Sequence, residues 1–382
     1  MATTADYLNK LVEQKNALAD NLVTKGVTAT HDETLETLVP KVLDISGGGT
    51  SGNGIHPIGE DGRPTGDVIV PEGVTSLYRY IFDSDTNITS VNLPTTLTSL
   101  SAYAFNGCTA LADIALNDNI SAVPDNCFRT TGITEFTMPR ALSKIGVSAF
   151  GDCSSLQNVN FKKSDNVAYI NIKNYAFDNC TNLTNINFET DDIVIFPSHY
   201  GFSRCSSLDN NEVMKIIDHL YSNAYTIGCF NGCIGITDII TSKSGEYMFR
   251  GCTNLVHCKV LESVTYMYAG MFAECTSLVS IELPATINSV TTYALTQNIT
   301  YSSYFLCKCT NLETVSVGEG WNMSMRLDVT TKLTVDSMVG IFNNLKDLTG
   351  ETAKTLTLGS TNLAKLTDEQ KAIAINKNWT LA

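Results

Sequence analysis

The chain has 382 residues, 43% of them hydrophobic, with 25 basic against 39 acidic side chains and a formal net charge of −14. That sign argues against a nucleic-acid partner, whose phosphates require clustered Lys and Arg, and apolar runs of only a few residues exclude a membrane-spanning helix. The length admits two or three ordinary domains or one long repeat array, because stacked repeats escape the size limit of a single core.

The opening "MATTADYLNK" lacks a basic head followed by an apolar stretch, so no secretory signal is expected. Residues 5–45 predict two helices. Leu8, Leu11, Leu18 and Leu22 keep helical spacing around Lys15, Gly26 is a stop, and "THDE" from Thr30 to Glu33 has the form of a capping box for a helix through Leu35, Leu38 and Val42. This 1–45 head is expected to be a small hairpin serving attachment or oligomerisation. "SGGGTSGNG" opens a flexible linker spanning 46–66.

A repeat dominates residues 67–320. "AFNGCTALADIAL" at 104–116 returns as "AFGDCSSLQNVNF" at 149–161 and "AFDNCTNLTNINF" at 176–188. With the phenylalanine as origin, a cysteine follows at three, and apolar residues at six, nine and eleven. Phe105, Cys108, Leu111, Ile114 and Leu116 set the template, and Phe272, Cys275, Leu278, Ile281 and Leu283 repeat it. Ten copies begin at Phe82, Phe105, Phe128, Phe150, Phe177, Phe202, Phe230, Phe249, Phe272 and Leu306. Positions nine and eleven alternate and mark one face of a short strand, while the three-residue steps suit a tight turn. One unit cannot bury its apolar side alone, but stacked copies can, at about 4.8 Å per strand.

Eight of the twelve cysteines then share one column: Cys108, Cys153, Cys180, Cys205, Cys233, Cys252, Cys275 and Cys309. They are expected to be buried, reduced and without a reactive task, filling a crowded corner. Reduced thiols in this number fit assembly inside a cell.

The stretch "NNEVMKIIDHLYS" predicts a helix that interrupts the array within 209–222, and its pattern echoes "LTVDSMVGIFNNLKDL" at 333–348. Residues 321–382 are expected to form an α/β end cap, with a strand at "TLTLG" and a closing helix opened by a Thr367/Gln370 capping box.

The frame "AFxxCxxLxxIxLPxxLxxI", held across many copies of residues 68–320, resembles the BspA-type leucine-rich repeat. The resemblance implies an α/β repeat fold, a right-handed leucine-rich-repeat solenoid of about ten rungs, and a role in binding or adhesion on bacterial surfaces. The opening "YLNKLVEQKNALADNLVTKGV" and the closing "LTGETAKTLTLGSTNLAKLTDEQKAIAINKNWTLA" resemble phage and prophage tail-associated proteins. They imply a virion component with a host-surface protein or glycan as partner and a virion partner or homo-oligomer contact at the helical head. A cell-surface adhesin and an intracellular interaction scaffold are the alternatives.

Catalytic chemistry is not expected. The histidines His31, His56, His199, His219 and His257 are scattered, and the pairs Cys307/Cys309, Cys229/Cys233 and His257/Cys258 fall short of a zinc pattern, so no metal and no cofactor is expected. The outward strand positions, among them Asn158, Asn160, Asn185 and Asn187, read as a solvated face. Tyrosine stands two residues before the origin in six copies, at Tyr80, Tyr103, Tyr175, Tyr200, Tyr247 and Tyr304. Stacked turns would line these rings along one flank, as a structural ladder or as the binding stripe.

Overall fold

The computed structural model describes residues 15–20, 30–32, 34, 64–164, 168–221, 226–291 and 305–382. Within the head, residues 15–20 are helical and His31 lies against them, its Nε2 2.8 Å from Asp20 Oδ1, while Lys15 reaches the His31 carbonyl. The rest of the expected head and most of the linker fall outside the described residues.

From Gly66 onward the chain winds as a solenoid of about thirteen turns. Template positions eight to eleven form short parallel strands. They assemble in three groups, Gly66–Ile69 to Asp113–Ile114, Glu135–Thr137 to Asn185–Phe188, and Asp238–Thr241 to Thr314–Val317. Register is strict: position nine lies beside position nine, as in Val159 with Ile186 and Ile281 with Val315. Those side chains are buried, and the alternate residues face out, because a pleated strand sends neighbours to opposite faces.

A second parallel ladder, unanticipated from the repeat frame, runs along another side through Ala122–Val123, Lys144–Ile145, Ile170–Ile172 and Ile195–Pro197. It continues as a bridge between Ile195 and Leu220. Its strands are two or three residues long, too short for alternation to announce them.

The turns between the two ladders carry the central spine. Nine phenylalanine rings from Phe82 to Phe272 stack along the axis, most with centroids 5.1–5.7 Å apart. Each of these nine turns also holds two left-handed residues, two before and two after the origin. Tyr175 (φ 60°) and Asn179 (φ 61°) flank Phe177, and Gly228 (φ 59°) and Gly232 (φ 72°) flank Phe230. The reversal of hand bends the backbone sharply enough that the phenylalanine N–H meets the next turn, as Phe150 N does with the Ala176 carbonyl at 2.8 Å.

The insertion over 209–222 contains the helix Asn210–Asp218, capped by Asp209. It stands where the strand of the Phe202 turn would lie. Its side chains replace the missing strand: Glu212 Oε2 accepts from Ile186 N at 2.9 Å on one side, and Asn210 Oδ1 accepts from Thr237 N at 2.8 Å and Asp238 N at 3.1 Å on the other. The phenylalanine spine passes the insert unbroken. Phe202 N still bonds the Cys229 carbonyl at 3.0 Å, and the Phe202–Phe230 gap widens to 6.3 Å without breaking the spine.

The same device closes the strand ladder at its far end. Helix Val335–Asn344 lies over Thr314–Val317, with Ser337 Oγ accepting from Val315 N at 2.8 Å and Asn344 donating to the Val317 carbonyl at 2.7 Å. Residues 321–382 then add a parallel sheet of Met325–Arg326, Lys354–Thr357 and Trp379–Leu381 and a helix Asp368–Ile375 opened by the Thr367/Gln370 capping box. Turns at both ends without the phenylalanine–cysteine signature account for the difference between ten motif copies and about thirteen turns.

Candidate functional site

The cysteine column does more than fill space. Each of its eight thiols donates to the carbonyl of the phenylalanine one turn earlier, from Cys108 to Phe82 at 2.9 Å through Cys180 to Phe150 at 3.1 Å to Cys309 and Phe272 at 3.1 Å. Most of these carbonyls also accept the N–H of the cysteine in their own turn, as Phe150 does from Cys153 at 3.3 Å, so both lone pairs are used. Burial pushes the Cys153 thiol up to about 11 and those of Cys108, Cys252 and Cys309 up to about 12. Such thiols stay protonated at neutral pH and offer neither a nucleophile nor a metal ligand. All twelve cysteines are unpaired. Among the described residues no three metal-binding side chains converge. His257 and Cys258 point to opposite faces of one strand, His257 toward Ser280 at 2.7 Å.

The tyrosines two before the origin occupy a left-handed position, with φ of 64° at Tyr80, 62° at Tyr103, 60° at Tyr175, 58° at Tyr200 and 53° at Tyr247. Tyr304 lies outside the described residues. The stripe is not continuous. Tyr80 and Tyr103 pair with centroids 4.9 Å apart beneath the Arg79 guanidinium, and Tyr175 and Tyr200 stack at 5.2 Å and within 2° of parallel. Asn126 and Ser148 separate the pairs. Beyond Tyr200 the next turn has Gly228, where an added Cβ would fall 2.3 Å from the Tyr200 ring; Gly270 bears the same relation to Tyr247. Tyr247 is buried, whereas Tyr80 and Tyr175 remain half exposed.

A second aromatic group was missed by the repeat frame. Tyr169, Phe196 and Tyr221 come from three successive turns of the second ladder, with centroid separations of 5.7–6.1 Å and interplanar angles of 45–52°. Ile170, Ile172, Ile195 and Leu220 point inward beside them. The readable signal was local alternation in "YINI" and "VIFP", out of phase with the phenylalanine–cysteine frame. This group and the Tyr175–Tyr200 pair lie in the same turns.

The outward face of the first ladder is largely polar and pairs with itself, Ile69 and Ile240 being its exposed apolar residues. Asn185 donates to Asn158 and Asn187 to Asn160, each at 2.8 Å, and Lys259 pairs with Glu282 at 2.9 Å. Beside the insert helix this face holds an open groove of about 410 Å³ lined by Asn210, Met214, Ile240, His257 and Lys259. Self-paired side chains leave this ladder little unspent hydrogen-bonding capacity, so the aromatic flank is the stronger candidate surface.

The BspA type leucine rich repeat region matches residues 65–170, 121–239, 170–302 and 226–323, together well over half of the chain. The chain belongs to the BspA-type leucine-rich-repeat family. Residues 1–64 and 324–382 of this BspA-type chain lie outside the match. Similar solved structures include a leucine-rich repeat protein from Bacteroides ovatus, 18% identical with 83% of each chain covered and a TM-score of 0.41. A leucine rich cell surface protein from Faecalibacterium prausnitzii is also 18% identical, covering 64% of this chain and 69% of that one, with a TM-score of 0.33. The pneumococcal vaccine antigen PcpA is 12% identical over 82% of each chain, with a TM-score of 0.35. No curated protein matches the sequence.

Proposed function

We propose that this BspA-type chain is a non-enzymatic recognition protein that attaches to a host surface through the aromatic flank of its solenoid. The observation that carries this reading is Tyr175. A bulky side chain is held in a left-handed conformation that costs about 1–2 kcal/mol, yet the residue is 41% exposed and its ring stacks flat on Tyr200. Neighbouring turns meet the same backbone demand with Asn126 or Gly228, residues that tolerate it better. Strain retained with an exposed ring is a feature of binding surfaces.

The likeness of the two ends to tail-associated proteins supports a virion setting, with the helical head as attachment or oligomer contact. The habit of the family supports the second setting, a cell-surface adhesin. Labelled intact protein should bind Gram-positive cells saturably, and Tyr175→Ala with Tyr200→Ala should weaken that binding about tenfold at a nearly unchanged melting temperature. Absence of binding to any cell, or a matching loss of stability, overturns the reading. Immunoblots of purified virions and of cell-wall fractions separate the two settings.

A further inference from the structure

We propose that Tyr169, Phe196 and Tyr221 form a carbohydrate-binding platform for an uncharged polysaccharide. The proposal rests on the recognition reading above and names the ligand class that one part of the flank takes.

Three features carry it. The rings are tilted at 45–52° to one another with centroids 5.7–6.1 Å apart, so they are grouped without being stacked flat. Tyr169 and Tyr221 are 41% and 40% exposed. The backbone beneath them is tied across turns by Ile170 N to the Val194 carbonyl, Ile195 N to the His219 carbonyl and Tyr221 N to the Ile195 carbonyl, each at 2.9 Å, so the points from which the rings project are set before a ligand arrives.

The second feature is what surrounds the rings. Beside Tyr169 a small cavity is lined by Lys162, Lys163, Ser164 and Asp192, with Lys163 paired to Asp192. Phe196 lies in register with Asn171. A pyranose presents a C–H face edged by hydroxyls, and this surface offers aromatic faces edged by hydroxyl-, ammonium- and carboxylate-bearing side chains that can both donate and accept.

The third feature is what is missing around them. Between residues 148 and 233, every described large apolar side chain that is exposed is a tyrosine: Tyr169, Tyr175 and Tyr221. A lipid-binding surface would add exposed Leu, Trp or Phe to its aromatics. Phe196 between them is half-buried, so the exposed apolar area comes mainly from rings with a polar tip. The net charge of −14 disfavours a polyanionic glycan, which leaves an uncharged one.

The test titrates the full chain with chitohexaose, laminarihexaose, maltohexaose and mannohexaose, and with heparin as the polyanion, following tyrosine fluorescence and calorimetric heat. At least one neutral hexasaccharide should bind and heparin should not. Tyr169→Ala with Tyr221→Ala should weaken that binding tenfold or more, while the melting temperature and the near-ultraviolet signal of the Tyr175–Tyr200 pair persist. Tyr221→Phe should keep most of the affinity, because the ring face remains. The same hexasaccharide should compete with attachment to cells. If no neutral hexasaccharide binds, if heparin binds best, or if the double variant binds as well as the parent, the platform is wrong. Should parent and double variant attach to cells equally, this inference fails while recognition stands; should the parent not attach at all, the recognition reading itself fails.

Discussion

The thiol of Cys153 donates to the carbonyl oxygen of Phe128 at 2.9 Å, and that carbonyl also accepts from the Thr131 hydroxyl at 2.9 Å. Thr131 holds the cysteine position of its own turn, so a hydroxyl is tolerated in the column. Replacing Cys180 by serine should therefore cost little, whereas Cys180→Ala leaves the Phe150 carbonyl short of a partner and opens a small void. The expected loss for alanine is about 1–3 kcal/mol, read as a shift of the urea midpoint. Equal costs for the two variants would mean that the thiol acts by volume alone.

The thiols also set an alkaline limit. Their folded-state pKa values lie above the ordinary thiol range, about 11 at Cys153 and about 12 at Cys108, Cys252 and Cys309, and desolvation is the largest cause in each. The unfolded chain thus releases these protons first. Their stabilising contribution is complete below the ordinary thiol pKa and is lost as pH rises toward 11 to 12. Each thiol adds a slope of about 1.4 kcal/mol per pH unit in that window. Denaturation at pH 8 and pH 10 should show a shallower loss for Cys153→Ser with Cys252→Ser than for the parent. Parallel slopes would remove the thiols from the account.

Reactivity should follow exposure. Cys307 alone is not fully buried among the twelve. At pH 8, native protein treated with a maleimide should label at Cys307 first and at the other eleven only on unfolding, as peptide mass mapping would reveal. Early labelling of Cys180 or Cys233 would place the column nearer to solvent than the fold has it.

Gly228 and Tyr200 make a pair that can be tested by rescue. An alanine at 228 would place its Cβ 2.3 Å from the Tyr200 ring, in a backbone with φ 59°, while an alanine at Gly320, φ 81°, would meet nothing within 4 Å. Gly320→Ala should cost about 1–2 kcal/mol for the left-handed conformation alone. Gly228→Ala should cost more, and adding Tyr200→Ala should recover the excess. Failure of the double variant to recover would show that the ring is not what excludes a side chain there.

The insert helix makes a separate prediction about the split face. Glu212→Ala should speed amide exchange at Ile186, and Asn210→Ala should do so at Thr237 and Asp238, since these side chains accept from those N–H groups. The expected cost of Glu212→Ala is about 1–3 kcal/mol. Unchanged exchange at Ile186 would leave the strand edge capped by something else.

The repeat, the inward strand positions, the shared cysteine column and the capping box at Thr367 were all legible in the sequence, because each is a local spacing rule repeated under the same steric demand. A turn that must place Phe105, Phe150 and Phe177 on one axis has few ways to do so, and the residue pattern records the solution. What only the tertiary structure decided depends on contacts between turns. The second ladder has strands too short to show a period. The Tyr169–Phe196–Tyr221 group joins residues that share no motif phase and meet only when three turns are stacked. The tyrosine stripe stops after Tyr200 because Gly228 receives that ring from the turn before it, a relation across turns that no single turn encodes.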